Sequence, residues 1–265
     1  MSSQPTQITS HDNARIKAVM RLRNQRDRRK SGLFIAEGCR EIERAIDAGI
    51  VVDELYYCAD LIDPSSLPEV GDVFELTQAL MGKISYRENP EGVVAICRQP
   101  VRDLSSIERR DDSLWLIAVG FTKPGNLGAI VRSAAAAGAT AVIAADSVVD
   151  PFNPNAIRAS TAAMFSVPVI CASAVDTIAA MAGRGIRLFA ACPAARENYT
   201  NVDLTGQVAI AIGAEDTGLD DVWIQGANRL GGGAVSIPVA DGPVDSLNAS
   251  NAAAVLLFEA VRQRA

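Results

Sequence analysis

The 265-residue sequence predicts an α/β protein in two parts: a small N-terminal α/β unit and a larger C-terminal α/β unit on a mostly parallel sheet. Three observations carry that expectation. After residue 112, apolar runs too continuous to alternate in and out (SLWLIAVG, TAVIAADS, VPVICA, IRLFAAC, VAIAIG, AVSIPV) are separated by segments with helical spacing. Strands covered on both faces read this way. Before residue 100 the strands and helices form a shorter unit of their own. Between the two, PVRDLSSIERRDD (residues 100–112) is polar and charged and makes the best linker, placing the domains at 1–105 and 106–265.

Each element has a local reason. From Asn13 to Arg29 the apolar residues Ile16, Val19, Met20 and Leu22 recur at helical spacing, which predicts one short amphipathic basic helix. LFIAEG (Leu33–Gly38) is a strand entering the helix EGCREIERAIDAG, which Gly49 can end. VVDELYYC is a second strand, followed by a loop over Asp63–Pro68, VFELT, a short helix near Gln78–Gly82 and the strand GVVAICRQ (Gly92–Gln99). Past the linker, SLWLIAVG is a buried strand, Leu127–Ala137 a helix and TAVIAADS a strand. Residues 155–165 read as helical, and the strand VPVICA, a helix over Val175–Gly183 and the strand IRLFAAC follow. VAIAIG (Val208–Gly213) and AVSIPV (Ala234–Val239) are the last strands, and Ser246–Arg262 the closing helix.

Composition excludes several classes. At 49% hydrophobic and 21% charged, the chain is ordinary for a globular protein. No apolar leader opens it and no run approaches the ~18–20 apolar residues of a membrane helix, so a cytoplasmic protein without membrane contact is expected. Five cysteines (Cys39, Cys58, Cys97, Cys171, Cys192) are scattered with no CxxC, which speaks against a zinc site or a disulfide framework and for reduced, mostly buried thiols. No metal site is predicted. The net charge of -6 hides an asymmetry: residues 1–30 carry +6, from Arg15, Lys17, Arg21, Arg23, Arg26, Arg28, Arg29 and Lys30 against Asp12 and Asp27. A basic segment on an acidic chain fits either a polyanion contact or a solvated charged helix.

Three stretches carry chemistry. In FTKPGNLGAIVRSAAAAGA (Phe121–Ala139), Gly120 and Gly125 have P-loop spacing, but Asn126-Leu127 stands where Lys-Ser/Thr must. GNLG also fails the dinucleotide spacing. What remains is a strand, a Pro-Gly turn and a helix with Asn126 as candidate N-cap, from which Arg132 projects one turn beyond Gly128. In AIGAEDTGL, a buried strand ends at Gly213, and Glu215 and Gly218 sit in the turn beyond its carboxyl end, where open α/β sheets bind ligands. In SIPVADGPVDSLNASNAAAVLLFEA, a strand with Pro238 and a Gly-Pro loop lead to a final helix that Ser246 or Asp245 can cap.

Taken in order, Asn126-x-Gly128-x3-Arg132, Gly213-x-Glu215-x2-Gly218, and Ile237-Pro238 with Ser246-Leu247-Asn248 resemble the SPOUT superfamily of RNA methyltransferases, in its SpoU/TrmH branch. Asn155–Val169 is similar to that family's linking helix. Residues 8–57, with Ile8, Ser10, Asn13, Lys17, Leu22, Arg28, Phe34, Glu37 and Gly38, resemble the RNA substrate-binding domain often fused ahead of it, which implies a small ribosomal-protein-like α/β sandwich at the N-terminus. Under this resemblance the basic run becomes an RNA contact, while Glu37 and Gly38 serve the domain's own structure.

The resemblance implies methyl transfer from S-adenosylmethionine to a ribose 2′-OH, with ribosomal RNA, and 23S in particular, favoured over transfer RNA. A non-catalytic RNA-binding protein of the same fold is the remaining alternative. It implies a trefoil knot and a homodimer in which Asn126 and Arg132 reach the site from the second subunit. Asn126, Arg132, Glu215 and Asn248 fall on the family's catalytic positions, and Ile212, Gly213, Ile237, Ser246 and Leu247 on its cofactor positions. An Arg pKa above ~12 makes a neutral guanidine costly, so Arg132 reads better as a phosphate clamp than as a base.

Overall fold

The computed structural model describes residues 5–240, 242, 243 and 245–265. The chain forms two compact units, one of residues up to Val101 together with Phe152–Phe165, the other of Arg102–Pro151 and Ser166–Ala265.

The first unit runs β1 (Thr6–Ile8), α1 (Ala14–Arg21), α2 (Gln25–Ser31), β2 (Leu33–Glu37), α3 (Cys39–Asp47), β3 (Val52–Tyr57), β4 (Asp72–Leu76), α4 (Gln78–Ile84) and β5 (Val93–Arg98). Its sheet has the order β1-β4-β3-β5-β2, parallel across β1, β4 and β3 and antiparallel across β3, β5 and β2. Ile16, Val19, Tyr56, Phe74, Leu80 and Met81 fill its core.

The single basic helix expected over Asn13–Arg29 is two helices. The chain turns between them at Leu22–Asn24, and the freed carbonyls at the break need donors. Arg28 supplies them: fully buried, it donates from its guanidinium to the oxygens of Leu22 at 2.8 Å and Arg23 at 2.9 Å. Arg28 is therefore an internal strut, and it drops out of the surface cations predicted to meet RNA. Glu37 and Gly38 serve the unit's own structure, as the resemblance implied. Buried Glu37 accepts from the backbone N–H of Tyr86 at 2.8 Å and of Arg87 at 3.4 Å. Gly38 adopts φ +98°, and a Cβ there would lie 2.4 Å from the Glu91 carboxylate.

The second unit begins with β6 (Leu114–Val119), α5 (Pro124–Ala136) and β7 (Ala141–Ala145). The chain then makes α6 (Pro154–Ala159) and α7 (Ala163–Ser166), and residues 152–165 belong to the first unit, where Phe152 and Phe165 pack on Phe34 at ring-centroid separations of 4.9 and 5.6 Å. It returns as β8 (Val169–Ala172), α8 (Ala174–Ala182), β9 (Arg187–Ala191), β10 (Val208–Gly213), α9 (Asp221–Arg229), β11 (Gly233–Val235) and α10 (Ala249–Arg264). The six strands lie in the order β11-β9-β10-β6-β7-β8 and every pair is parallel. The register sets Ile212 opposite Ala118 and Val235 opposite Ala191, so the carboxyl ends of β6, β9, β10 and β11 finish together. Trp115, Ile143, Leu188 and Trp223 lie in the core, and α5 packs against α10.

Three local expectations need correction here. The helix bearing Asn126 starts at Pro124 with Lys123 at the N-cap position, so Asn126 sits within the first turn and caps nothing. The closing helix is capped by Asn248, whose Oδ1 accepts from the Ser250 N–H at 2.9 Å, and by neither Ser246 nor Asp245. The last strand stops at Val235, because the Ser236 N–H turns to the Glu197 carbonyl at 2.8 Å and Pro238 has no N–H to continue a ladder. Of the five cysteines, Cys58 and Cys97 are fully buried while Cys171 is exposed. Among the described residues no helix is long and apolar enough to cross a membrane.

Candidate functional site

The site forms where the parallel strands of the second unit end. β6 leaves the sheet through Gly120, whose φ of +68° lets its N–H reach the Ala145 carbonyl at 2.9 Å before the chain turns into α5. β10 ends at Gly213, over which the turn Ala214–Gly218 folds back so closely that a Cβ would lie 2.1 Å from the Gly218 carbonyl carbon. Gly218, at φ +65°, closes that turn with an N–H bond to the Ala214 oxygen at 2.8 Å. The Ala214 N–H bonds to Val119 at 3.1 Å and ties the turn to the end of β6. Glycine at 213 is thus required by backbone approach, and the turn it permits holds Glu215 beside the start of α5.

Two adjoining cavities result. The smaller, of about 270 Å³, is lined by Phe121, Thr122, Lys123 and Asn126 on one side and by Ala214, Glu215 and Asp216 on the other. The larger, of about 390 Å³, shares Ala214 and Glu215 with it. All five residues predicted at cofactor positions line the larger one: Ile212, Gly213, Ile237, Ser246 and Leu247. Asn248 lines neither but reaches their junction, its Nδ2 donating to the Glu215 carboxylate. Asn248 therefore has two bonds to keep, because its Oδ1 caps α10 while its amide nitrogen holds Glu215.

Arg132 does not join this group. It lies exposed further along α5, outside both cavities of its own chain. Asn126 already shares a groove with Glu215 of its own chain. Sequence reasoning did not place several lining residues at the site, among them Lys123, Cys192, Pro193 and Asp245, the last weighed only as a helix cap. The first three directly follow or closely succeed strand ends, so the strand-end rule that drew attention to Glu215 applies to them as well.

The basic segment of the first unit is sorted by its contacts. Arg15 pairs with Glu54 and lies over the Phe74 ring at 4.4 Å, Lys17 meets Asp12 at 2.9 Å, and Arg23 donates to the Lys83 and Ser85 carbonyls at 2.9 and 2.6 Å. Arg21, Arg26, Arg29 and Lys30 are exposed.

Residues 113–258, more than half of the chain, match the SpoU rRNA Methylase family. The chain belongs to that family. Residues 13–95 of this SpoU methylase also match the MRM3-like substrate binding domain. Among similar proteins is the 23S rRNA (uridine(2479)-2′-O)-methyltransferase of Streptomyces viridochromogenes, 34% identical over 97% of this chain and 92% of that one. Among solved structures, an RNA 2′-O ribose methyltransferase is 39% identical, with a TM-score of 0.85 over 97% of this chain and 99% of its own. An AdoMet-bound rRNA methyltransferase from Sinorhizobium meliloti is 29% identical, with a TM-score of 0.87 over 98% of each chain. The predicted class, α/β with a mostly parallel second sheet, is the one these SpoU-type structures share.

Proposed function

We propose that the protein transfers a methyl group from S-adenosylmethionine to a ribose 2′-OH of 23S ribosomal RNA. The observation that carries the reading is the junction at Glu215, where one carboxylate fixed by Asn248 borders both cavities. Two adjoining cavities suit a two-substrate transfer. The larger one falls within the ~300–1,000 Å³ of small-molecule sites and is mostly apolar with a few polar groups, which fits the cofactor.

When bound, the cofactor supplies a methyl already activated on a sulfonium, so the chain's task is alignment and desolvation. Ile212, Ile237 and Leu247 give the apolar walls, and Ser246 with the main chain near Gly213 gives polar contacts. Asn126 and Glu215 face each other across the smaller groove, where they orient the target ribose by hydrogen bonding. Arg132, placed away from its own cavities, serves the site of a second subunit and clamps the RNA phosphate there. Half-exposed Phe258 on α10, the helix that packs on α5, supports a homodimer built on this face. We assign the trefoil knot to the chain after β10 and β11, whose described residues help line the larger cavity, and place the enzyme in the cytoplasm. In the basic segment of the first unit we assign the exposed cations Arg21, Arg26, Arg29 and Lys30 to RNA, helped at the margin by Arg15, Lys17 and Arg23.

Incubating the purified protein with S-adenosylmethionine carrying a labelled methyl and with 23S rRNA tests the reading. Label recovered in a 2′-O-methylated nucleoside is the expected result; label on a base, or none with cofactor bound, overturns it.

A further inference from the structure

The larger cavity has a charge pattern that its shape alone does not require. Two carboxylates, Glu215 and Asp245, line it, and among the described residues no Lys, Arg or His does. They differ in how they are held. Glu215 is committed to Asn248, whereas Asp245 is exposed and has no hydrogen bond or ion pair to another described residue. The other described residues lining it are neutral, from Ile212, Ile237 and Leu247 to Ser246. An exposed carboxylate at the rim of a largely apolar cavity, with no cation among the described lining residues, attracts a ligand that brings positive charge.

The methyl donor and its spent product differ by one such charge. A sulfur bearing three carbons is a cation, and the same sulfur after giving up its methyl is a neutral thioether; the rest of the molecule is unchanged. We propose that Asp245 is a specificity-determining residue that favours the charged donor over the neutral product, so that the transfer itself weakens retention of the spent cofactor. The inference rests on the methyltransferase reading. It adds to that reading a residue outside the motif positions and a physical reason for product exchange. A carboxylate acting at several ångströms near the protein surface is worth about threefold to tenfold in affinity, and salt screens it.

Calorimetric titration of the intact protein with S-adenosylmethionine and with S-adenosylhomocysteine tests this. Asp245→Asn keeps the shape and removes the charge, and its exposure makes misfolding an unneeded worry that a melting curve checks. The expected result is a threefold to tenfold weaker Kd for S-adenosylmethionine, a change below twofold for S-adenosylhomocysteine, and a gap between them that narrows as salt rises. Asp245→Glu restores the preference. Equal weakening of both ligands overturns the proposal, because the carboxylate then acts on a group they share; so does no change in either. Wild-type protein that binds neither compound contradicts the methyltransferase reading itself, and the proposal with it.

Discussion

The basic segment of the first unit and the motif turns of the second use charged side chains in opposite ways. Between Arg15 and Lys30, several cations are turned inward or sideways: Arg28 holds the carbonyls of a helix break, Arg23 holds two more, and Arg15 lies on Phe74. In the second unit Glu215 stands just beyond a strand end, where a glycine turn presents it to both cavities. Charge counting therefore overstates the first surface, while position relative to a strand end identifies the second. The contrast is worth testing residue by residue.

The largest effect is expected at Arg132. Arg132→Ala should lower methyl transfer by about 100-fold or more, the scale of losing a positioned charge on the reacting substrate, while the calorimetric Kd for S-adenosylmethionine stays within twofold. Loss of cofactor binding in the same variant would place Arg132 in the wrong role. Next comes the pair that splits the basic segment. Arg28→Ala strands buried carbonyls and should cost about 2–4 kcal/mol in denaturant unfolding. Arg29→Ala, one residue along, should leave stability within about 0.5 kcal/mol and instead weaken RNA binding, with a salt slope shallower by about one unit. Equal stability losses in the two would erase the distinction between strut and surface.

A smaller effect separates the two bonds of Asn248. Asn248→Asp keeps an acceptor for the Ser250 N–H but cannot donate to Glu215, so α10 should remain capped while activity falls. Asn248→Ala loses both and should cost a further ~1 kcal/mol of stability. The smallest effect lies on α10. Hydrogen bonds from Arg262, then Gln263, hold the Glu259 carboxyl down at about 2. A carboxyl whose folded value is depressed stabilises above its unfolded value near 4.5 and loses that contribution as pH falls toward 2. Thermal melts of Glu259→Gln should therefore show a shallower fall between pH 5 and 2 than wild type; parallel curves would assign that acid sensitivity elsewhere.

How much of this was legible in the sequence follows the same contrast. The strands of the second sheet could be read because both faces are covered and their residues are almost all apolar, and each strand end bearing the site is marked by a glycine or a turn. The break at Leu22–Asn24 could not, since the apolar spacing of Ile16, Val19, Met20 and Leu22 runs up to it with no Pro or Gly to signal a stop. Asn126 drew attention as a cap, but Pro124 at the first helical position had already fixed the start two residues earlier. The three-residue strand β1 is too short for any period, and the placement of residues 152–165 with the first unit rests on contacts with Phe34 that no local pattern records. Asp245 was weighed only as a helix cap, because its place in a cavity depends on where three other strands end.

The central claim is that the junction at Glu215 serves 2′-O-methylation of 23S rRNA. Mapping ribose methylation in 23S rRNA from cells with the protein, without it, and with the Arg132→Ala form tests it most directly. The account predicts one 2′-O-methyl lost without the protein, restored by wild type and left missing by Arg132→Ala. Identical maps in all three cells would contradict it.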